Sequence, residues 1–111
     1  MGVTKTDLFS EKQNQLAKLA KVLGHPARIA IIEFLLNTKA CFNGDLVDEL
    51  GLAQATISQH LRELKDVGLI QGTIEGTRVN YCIHIQNWNA MSDAFQKLFA
   101  LSHLEKKTDC C

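Results

Sequence analysis

The sequence predicts a mostly α domain with a β-hairpin wing, built from five helices and two strands. Three observations predict it. The chain has 111 residues, which is the length of one domain. Apolar residues recur at helical spacing in five stretches, each bounded by a capping residue, a glycine or the single proline, Pro26. A strictly alternating run, Arg78 to Ile85, follows a glycine-containing turn near the end of the chain.

The first helix is expected from Ser10 to Leu23. Ser10 is a good N-cap, Glu11 lies in the first turn, and Leu16, Leu19, Ala20 and Leu23 share a face that Gly24 ends. Pro26 suits the first turn of a second helix reaching Leu36. That helix is apolar almost all round, interrupted only by Arg28 and Glu33, so it should be central and buried. Asn43 reads as the N-cap of a short third helix, with Leu46, Val47 and Leu50 inward and Gly51 closing it. After a tight turn at Leu52 and Ala53, a fourth helix runs from Gln54 to Val67. Ile57, Leu61 and Leu64 form its buried stripe, while Ala55, Gln59, Arg62 and Asp66 face solvent. Leu69 to Ile74 and Arg78 to Ile85 are the strands, joined through Glu75, Gly76 and Thr77. In the second, Val79, Tyr81, Ile83 and Ile85 point inward and Cys82 outward. The last helix starts near Asn87 and reaches Leu104, followed by a frayed tail.

Hydrophobic residues make up 46% of the chain and charged ones 22%, a balance too apolar for a disordered segment. A domain this long buries about two-thirds of its unfolded surface and holds one core without disulfides. No apolar run approaches the roughly 18 residues of a membrane span. Met1 to Ser10 lacks the apolar core of a signal peptide, so a cytoplasmic location without membrane contact is expected. The four cysteines, Cys41, Cys82, Cys110 and Cys111, contain no Cys-x-x-Cys pair, and a reduced compartment fits them better than a secreted framework. No paired-carboxylate cleft, phosphate-cradling glycine loop or nucleophile–base constellation points to an enzyme.

Asp45 to Leu64 reads as helix, tight turn, helix, with a hairpin directly after it. In the helix-turn-helix arrangement the second helix enters the major groove of double-stranded DNA, its N-terminal residues at base edges. Gln54, Thr56, Ser58 and Gln59 can donate and accept hydrogen bonds there, and Arg62 can reach phosphate or guanine. Ala55 and His60 complete the candidate DNA-contacting set on this helix, and Thr77 and Arg78 extend it at the tip of the wing. The plainer alternative is a protein-interaction module of the same winged shape, with solvated polar faces and no DNA partner.

The run Leu23-Gly24-His25-Pro26-Ala27-Arg28-Ile29-Ala30-Ile31-Ile32 resembles the start of the second helix in the ArsR/SmtB winged helix-turn-helix repressors. Asp45-Leu46, Leu50, Gln54 to Leu64 and Gly68-Leu69-Ile70 are similar to that family's recognition unit, and Gly76 to Tyr81 to its wing. Ser58-x-His60-Leu61-x-x-Leu64 is the most specific part. The resemblance implies a homodimer joined through the first and last helices, repression at an operator, and release by an inducer, often a metal or metalloid ion. The residues support the dimer independently. Leu16 and Leu19, with Trp88, Met91, Phe95 and Phe99, are a large apolar load for a small chain, and a two-fold contact would cover it. The alternative is that the last helix packs back on its own core.

The chain departs from both ion sites that recur in the family. Cys41 stands where a Cys-x-Cys pair would begin, but Asn43 occupies the partner position. In the last helix His103 is followed by Leu104, Glu105 and Lys106, so the expected His-x-x-Glu pattern ends on a lysine. What remains is Cys41 with Cys110 and Cys111. Trivalent arsenic or antimony favours three thiolates in a pyramid, and adjacent tail cysteines could supply two of them. A zinc site joining His103 to the tail cysteines is a further possibility, and a thiol redox switch on the same cysteines is the alternative to ion sensing. Cys41 as a small core filler and the tail as inert are the plain readings. Cys82, on the outer face of the wing, is expected to take no part.

The charge balance bears on the DNA reading. Twelve basic against twelve acidic residues give a net charge of zero, unlike most nucleic-acid binders. The contact surface itself has few acids. Most lie elsewhere, at Glu33, Asp48, Glu49, Asp93 and Glu105, although Glu63, Asp66 and Glu75 are close. A modest number of phosphate contacts is therefore expected.

Overall fold

The computed structural model of the chain describes residues 8–38, 41–75 and 78–101. Within them the order is α1 (Glu11–Leu23), α2 (Pro26–Leu36), β1 (Phe42–Asp45), α3 (Leu46–Leu50), α4 (Gln54–Asp66), β2 (Ile70–Glu75), β3 (Arg78–Ile83) and α5 (Ile85–Ala100). This is the mostly helical, winged architecture the sequence predicts, with one strand more.

The helix starts follow the local chemistry. Ser10 Oγ accepts from the Gln13 N–H at 3.1 Å while Gln13 Oε1 accepts from the Ser10 N–H at 3.0 Å, a reciprocal capping box that starts α1. Pro26 opens α2, and His25 Nδ1 accepts from the Ala27 N–H at 3.1 Å. The third helix starts later than Asn43. Asn43 instead pairs with Asn80 in an antiparallel ladder, and Asp45 is the cap, its Oδ1 accepting from the Val47 N–H at 2.9 Å. Gly51, in the left-handed region at φ 71°, closes α3 as expected.

The extra strand, β1, carries almost no β-propensity in Phe42-Asn43-Gly44-Asp45. It forms because β3 offers an open edge: the sheet order is β1-β3-β2, with Phe42 opposite Tyr81 and Asp45 opposite Arg78. On the other side β2 and β3 pair from Ile70 with Ile83 to Glu75 with Arg78. Gly72, at φ 140°, lies against β3 so closely that a Cβ would run into the Asn80 carbonyl and the Tyr81 ring. The second strand also ends sooner than expected. Ile85 does not point inward from a strand; it begins α5 and is exposed, with His84 as the cap.

The core joins Leu19 and Val22 of α1, Ile31, Ile32 and Leu35 of α2, Leu46, then Ile57, Leu61 and Leu64 of α4, with Leu69, Ile70, Tyr81 and Met91. The stripe expected on α4 is therefore buried. The second helix is only partly enclosed: Ile29 and Leu36 remain 41% and 42% exposed. Two residues expected at a dimer contact, Leu19 and Met91, are already buried within one chain, because α1 packs on α5.

The cysteines also depart from expectation. Cys41, just before β1, and Cys82, on β3, are bonded as a disulfide with Cα atoms 4.3 Å apart. The Phe42–Tyr81 register puts them opposite one another across the two strands. Cys82 thus has a partner that alternation within β3 cannot show, because the pairing depends on β1. No helix among the described residues is long and apolar enough to cross a membrane.

Candidate nucleic-acid interface

The turn between α3 and α4 sets the geometry. Gly51 reverses the chain, half-buried Leu52 anchors it, and Ala53 begins α4 in an extended conformation with no side-chain cap. The first-turn N–H groups of α4 therefore have no capping side chain, unlike those of α1, α2, α3 and α5. Ile57, Leu61 and Leu64 pin the inner face of the helix. Gln54, Ala55, Thr56, Gln59 and Arg62 are exposed, and Ser58 is half-buried. Gln54, Ala55, Thr56, Ser58 and Gln59 thus lie outside the buried stripe together with Arg62, and exposed Asp66 ends the row of Ala55, Gln59 and Arg62.

His60 does not belong to that face. It is 5% exposed and lies inside the stripe, because positions 57, 60, 61 and 64 follow the i, i+3, i+4, i+7 spacing of a buried helix face. Its Nδ1 accepts from Arg28 Nε at 2.9 Å, and Arg28 Nη1 donates to the Val22 carbonyl at 3.1 Å. The His25 and His60 ring centroids are 4.3 Å apart. Arg28 therefore joins the end of α1, the start of α2 and the middle of α4 in one polar knot. His60 Nε2 is buried with no hydrogen-bond partner among the described residues. Burial, then the charges of His25 and Arg28, hold the His60 pKa below its ordinary value of 6.5.

On the sheet side, Lys65 Nζ donates to the Gly72 carbonyl at 2.7 Å, fastening the end of α4 to the wing. Asn87 Nδ2 donates to the Gly68 carbonyl at 2.8 Å and fastens α5 to the same turn. Tyr81 is buried beneath the wing; burial raises its pKa, and the Arg62 charge opposes that rise. Thr77, Cys110 and Cys111 lie outside the described residues, and of Arg78 only the backbone is described, paired with Glu75 and Asp45.

The residues expected at a two-fold contact divide. Trp88 and Phe95 are half-buried against the core, Leu16 is half-buried on α1, and Phe99 is 65% exposed. Ala20 and Leu23 of α1 with Trp88, Phe95 and Phe99 of α5 line an open apolar groove, in which the Phe95 and Phe99 rings stack at 5.9 Å. Leu98 of α5 and Leu101 just after it are also exposed.

Residues 25–71, which span α2 through the start of β2, match the family described as bacterial regulatory protein, arsR family. The HTH-type transcriptional regulator YgaV of Escherichia coli is 31% identical over 97 residues, covering 87% of this chain and 98% of that protein. The HTH-type transcriptional regulator CmtR of Mycobacterium tuberculosis is 36% identical over 72 residues, covering 65% of this chain. That match spans 60% of the length of CmtR. The solved structure of CmtR, described as a cadmium metal-sensor, superposes with a TM-score of 0.50 at 30% identity, covering 86% of this chain and 95% of that one. An ArsR-like transcriptional regulator from Rhodococcus sp. RHA1 shares the fold, with a TM-score of 0.65 at 20% identity over 85% of this chain and 88% of that one.

Proposed function

This chain belongs to the arsR family of bacterial regulatory proteins, and from that premise we propose that it is a homodimeric DNA-binding transcriptional repressor. In this reading a soft metal or metalloid ion, arsenite, binds cysteine thiolates and releases the protein from its operator. The observation that carries the DNA reading is the division of α4, whose apolar stripe is fully used by the core while a polar face with Arg62 stays open.

Gln54, Thr56, Ser58 and Gln59 are the side chains for base edges, and Ala55 is small enough to pass close to a thymine methyl. Arg62, with Thr77 and Arg78 of the wing, takes phosphate or guanine. The uncapped start of α4 supplies backbone N–H groups to a phosphate. His60 acts from within, holding α4 against α2 rather than touching DNA. The α1–α5 groove, with Phe99 exposed beside Phe95 and Trp88, is the surface for the second subunit, together with half-buried Leu16 of α1. Met91 also lines that groove, and Leu19 is buried in the core.

The ion reading rests on thiolate chemistry and on CmtR, a relative described as a cadmium sensor. Among the described residues no group of three or more His, Cys, Asp or Glu could hold a metal ion. Cys41 therefore needs Cys110 and Cys111 to complete a three-thiolate set for arsenic or antimony. Zinc, by contrast, would draw on His103 with the tail cysteines. The test is operator binding by gel shift with the reduced protein. Arsenite is expected to release the DNA from wild type and to leave a Cys110→Ser/Cys111→Ser variant bound. Unchanged affinity of wild type in excess arsenite would overturn the ion reading.

A further inference from the structure

We propose that Cys41 and Cys82 are a dithiol–disulfide couple that fastens the helix-turn-helix to the wing when oxidised and frees it when reduced. The proposal uses neither tail cysteine. It rests on the DNA-binding reading for one of its readouts.

The placement of the pair carries the argument. The bond spans 41 positions of sequence and encloses β1, α3, α4, β2 and β3 as far as Tyr81, a stretch that holds every residue assigned to DNA contact. It lies where the edge strand of that stretch meets the wing. β1 has four residues, sits at the edge of the sheet and is held on one side only, by β3. Its last residue, Asp45, is also the cap that starts α3. The register of β1 on β3 therefore sets where α3 and α4 begin relative to the wing. A covalent link one residue before β1 holds that register; without it, the link is a short edge ladder.

The chemistry needs a two-electron oxidant, here a hydroperoxide. Cys41 is exposed and Cys82 half-buried, so Cys41 meets the oxidant first. Its thiolate attacks the peroxide oxygen, the O–O bond breaks, and Cys41 becomes a sulfenic acid while the other oxygen leaves as an alcohol or water. The Cys82 thiol then attacks the Cys41 sulfur, the S–S bond forms, and the sulfenic oxygen leaves as water with the thiol proton. Two thiols lose two electrons and the peroxide gains them. A dithiol such as dithiothreitol reverses the step by exchange. Oxidation also consumes the Cys41 thiolate that the ion reading requires, so the oxidised protein should not respond to arsenite.

The test compares wild type, Cys41→Ser, Cys82→Ser and Cys110→Ser/Cys111→Ser, each reduced or treated with hydrogen peroxide. Peptide mapping of oxidised wild type should find the Cys41–Cys82 link, and dithiothreitol should remove it. Amide hydrogen exchange across β1 and α3 should slow on oxidation in wild type and the tail variant, and stay unchanged in the two single variants. Operator affinity should differ threefold or more between the oxidised and reduced forms of the same two proteins. Absence of the link in the map, or equal exchange and affinity in both redox states, overturns the proposal. If neither form binds the operator while exchange still changes, the couple stands and the DNA reading fails.

Discussion

Replacing Arg28 with methionine removes the guanidinium at the centre of the polar knot while keeping an unbranched apolar stem. Two hydrogen bonds are lost, one to His60 Nδ1 at 2.9 Å and one to the Val22 carbonyl at 3.1 Å. A bond from a charged donor contributes about 1.5–3 kcal/mol, and because Arg28 is half-buried the more solvated of the two contributes about 0.5–1 kcal/mol. The expected loss for Arg28→Met is about 2–4 kcal/mol. With a urea dependence of about 2 kcal/mol per molar for a small domain, the unfolding midpoint should fall by about 1–2 M. A second readout separates the knot from general destabilisation. The Arg28 charge is one of the causes holding the His60 pKa down, so that pKa should move up in the folded variant, as followed by the ring proton shifts. A loss below about 0.5 kcal/mol, the range of an ordinary surface substitution, with the His60 titration unmoved, would refute the assignment of Arg28 and His60 to a structural tie.

The remaining predictions test other joints of the same account. The His60 pKa is depressed in the fold, so below its ordinary value of 6.5 the unfolded chain binds more protons. Its contribution to stability should be complete above that pH and decline as pH falls toward the folded pKa; thermal melts across this window check it, and a flat profile in wild type would contradict it. Gly72→Ala combines a φ of 140° with a collision against the Asn80 carbonyl. It should lower stability by about 2 kcal/mol or more by urea denaturation, where an unchanged midpoint would refute the close approach. Phe99→Glu, at a 65% exposed position, should leave the unfolding midpoint of the single chain near wild type. It should convert a dimer to a monomer in sedimentation velocity, and a dimer persisting in the variant would remove the α5 groove from the interface.

Much of the architecture is legible in the sequence because local and global signals agree there. Ser10, Pro26, Gly51 and the 57-61-64 stripe each specify a local structure that the core then uses. The strand β1 and the Cys41–Cys82 pair are hidden for one reason, which is pairing over long sequence distance. Phe42 to Asp45 reads as the entry to the third helix, with Asn43 as its cap, and becomes a strand only because β3, more than 30 residues on, has a vacant edge. The Cys41–Cys82 pairing depends on that strand and is hidden with it. His60 is different, since its signal was present. It sits at helical spacing with Ile57, Leu61 and Leu64, but its polarity suggests an outward role, and only the Arg28 donor from α2 explains a polar ring inside. Leu19 and Met91 show a different limit: apolar load predicts burial without saying how much of the cover is the same chain and how much a second one.

The central claim is that the open face of α4 reads DNA. A fluorescence anisotropy titration of the reduced protein against its own upstream duplex, and against a scrambled duplex of equal length, tests it most directly. The same titration is run with Gln59→Ala/Arg62→Ala, both positions being exposed and outside the core. Wild type should prefer its own duplex by about 1,000-fold or more, with affinity falling as salt rises with a slope of a few phosphates. The double variant should lose about tenfold or more on that duplex while its unfolding midpoint stays within about 0.5 kcal/mol of wild type. Equal binding to both duplexes, or undiminished binding by the variant, would contradict the account.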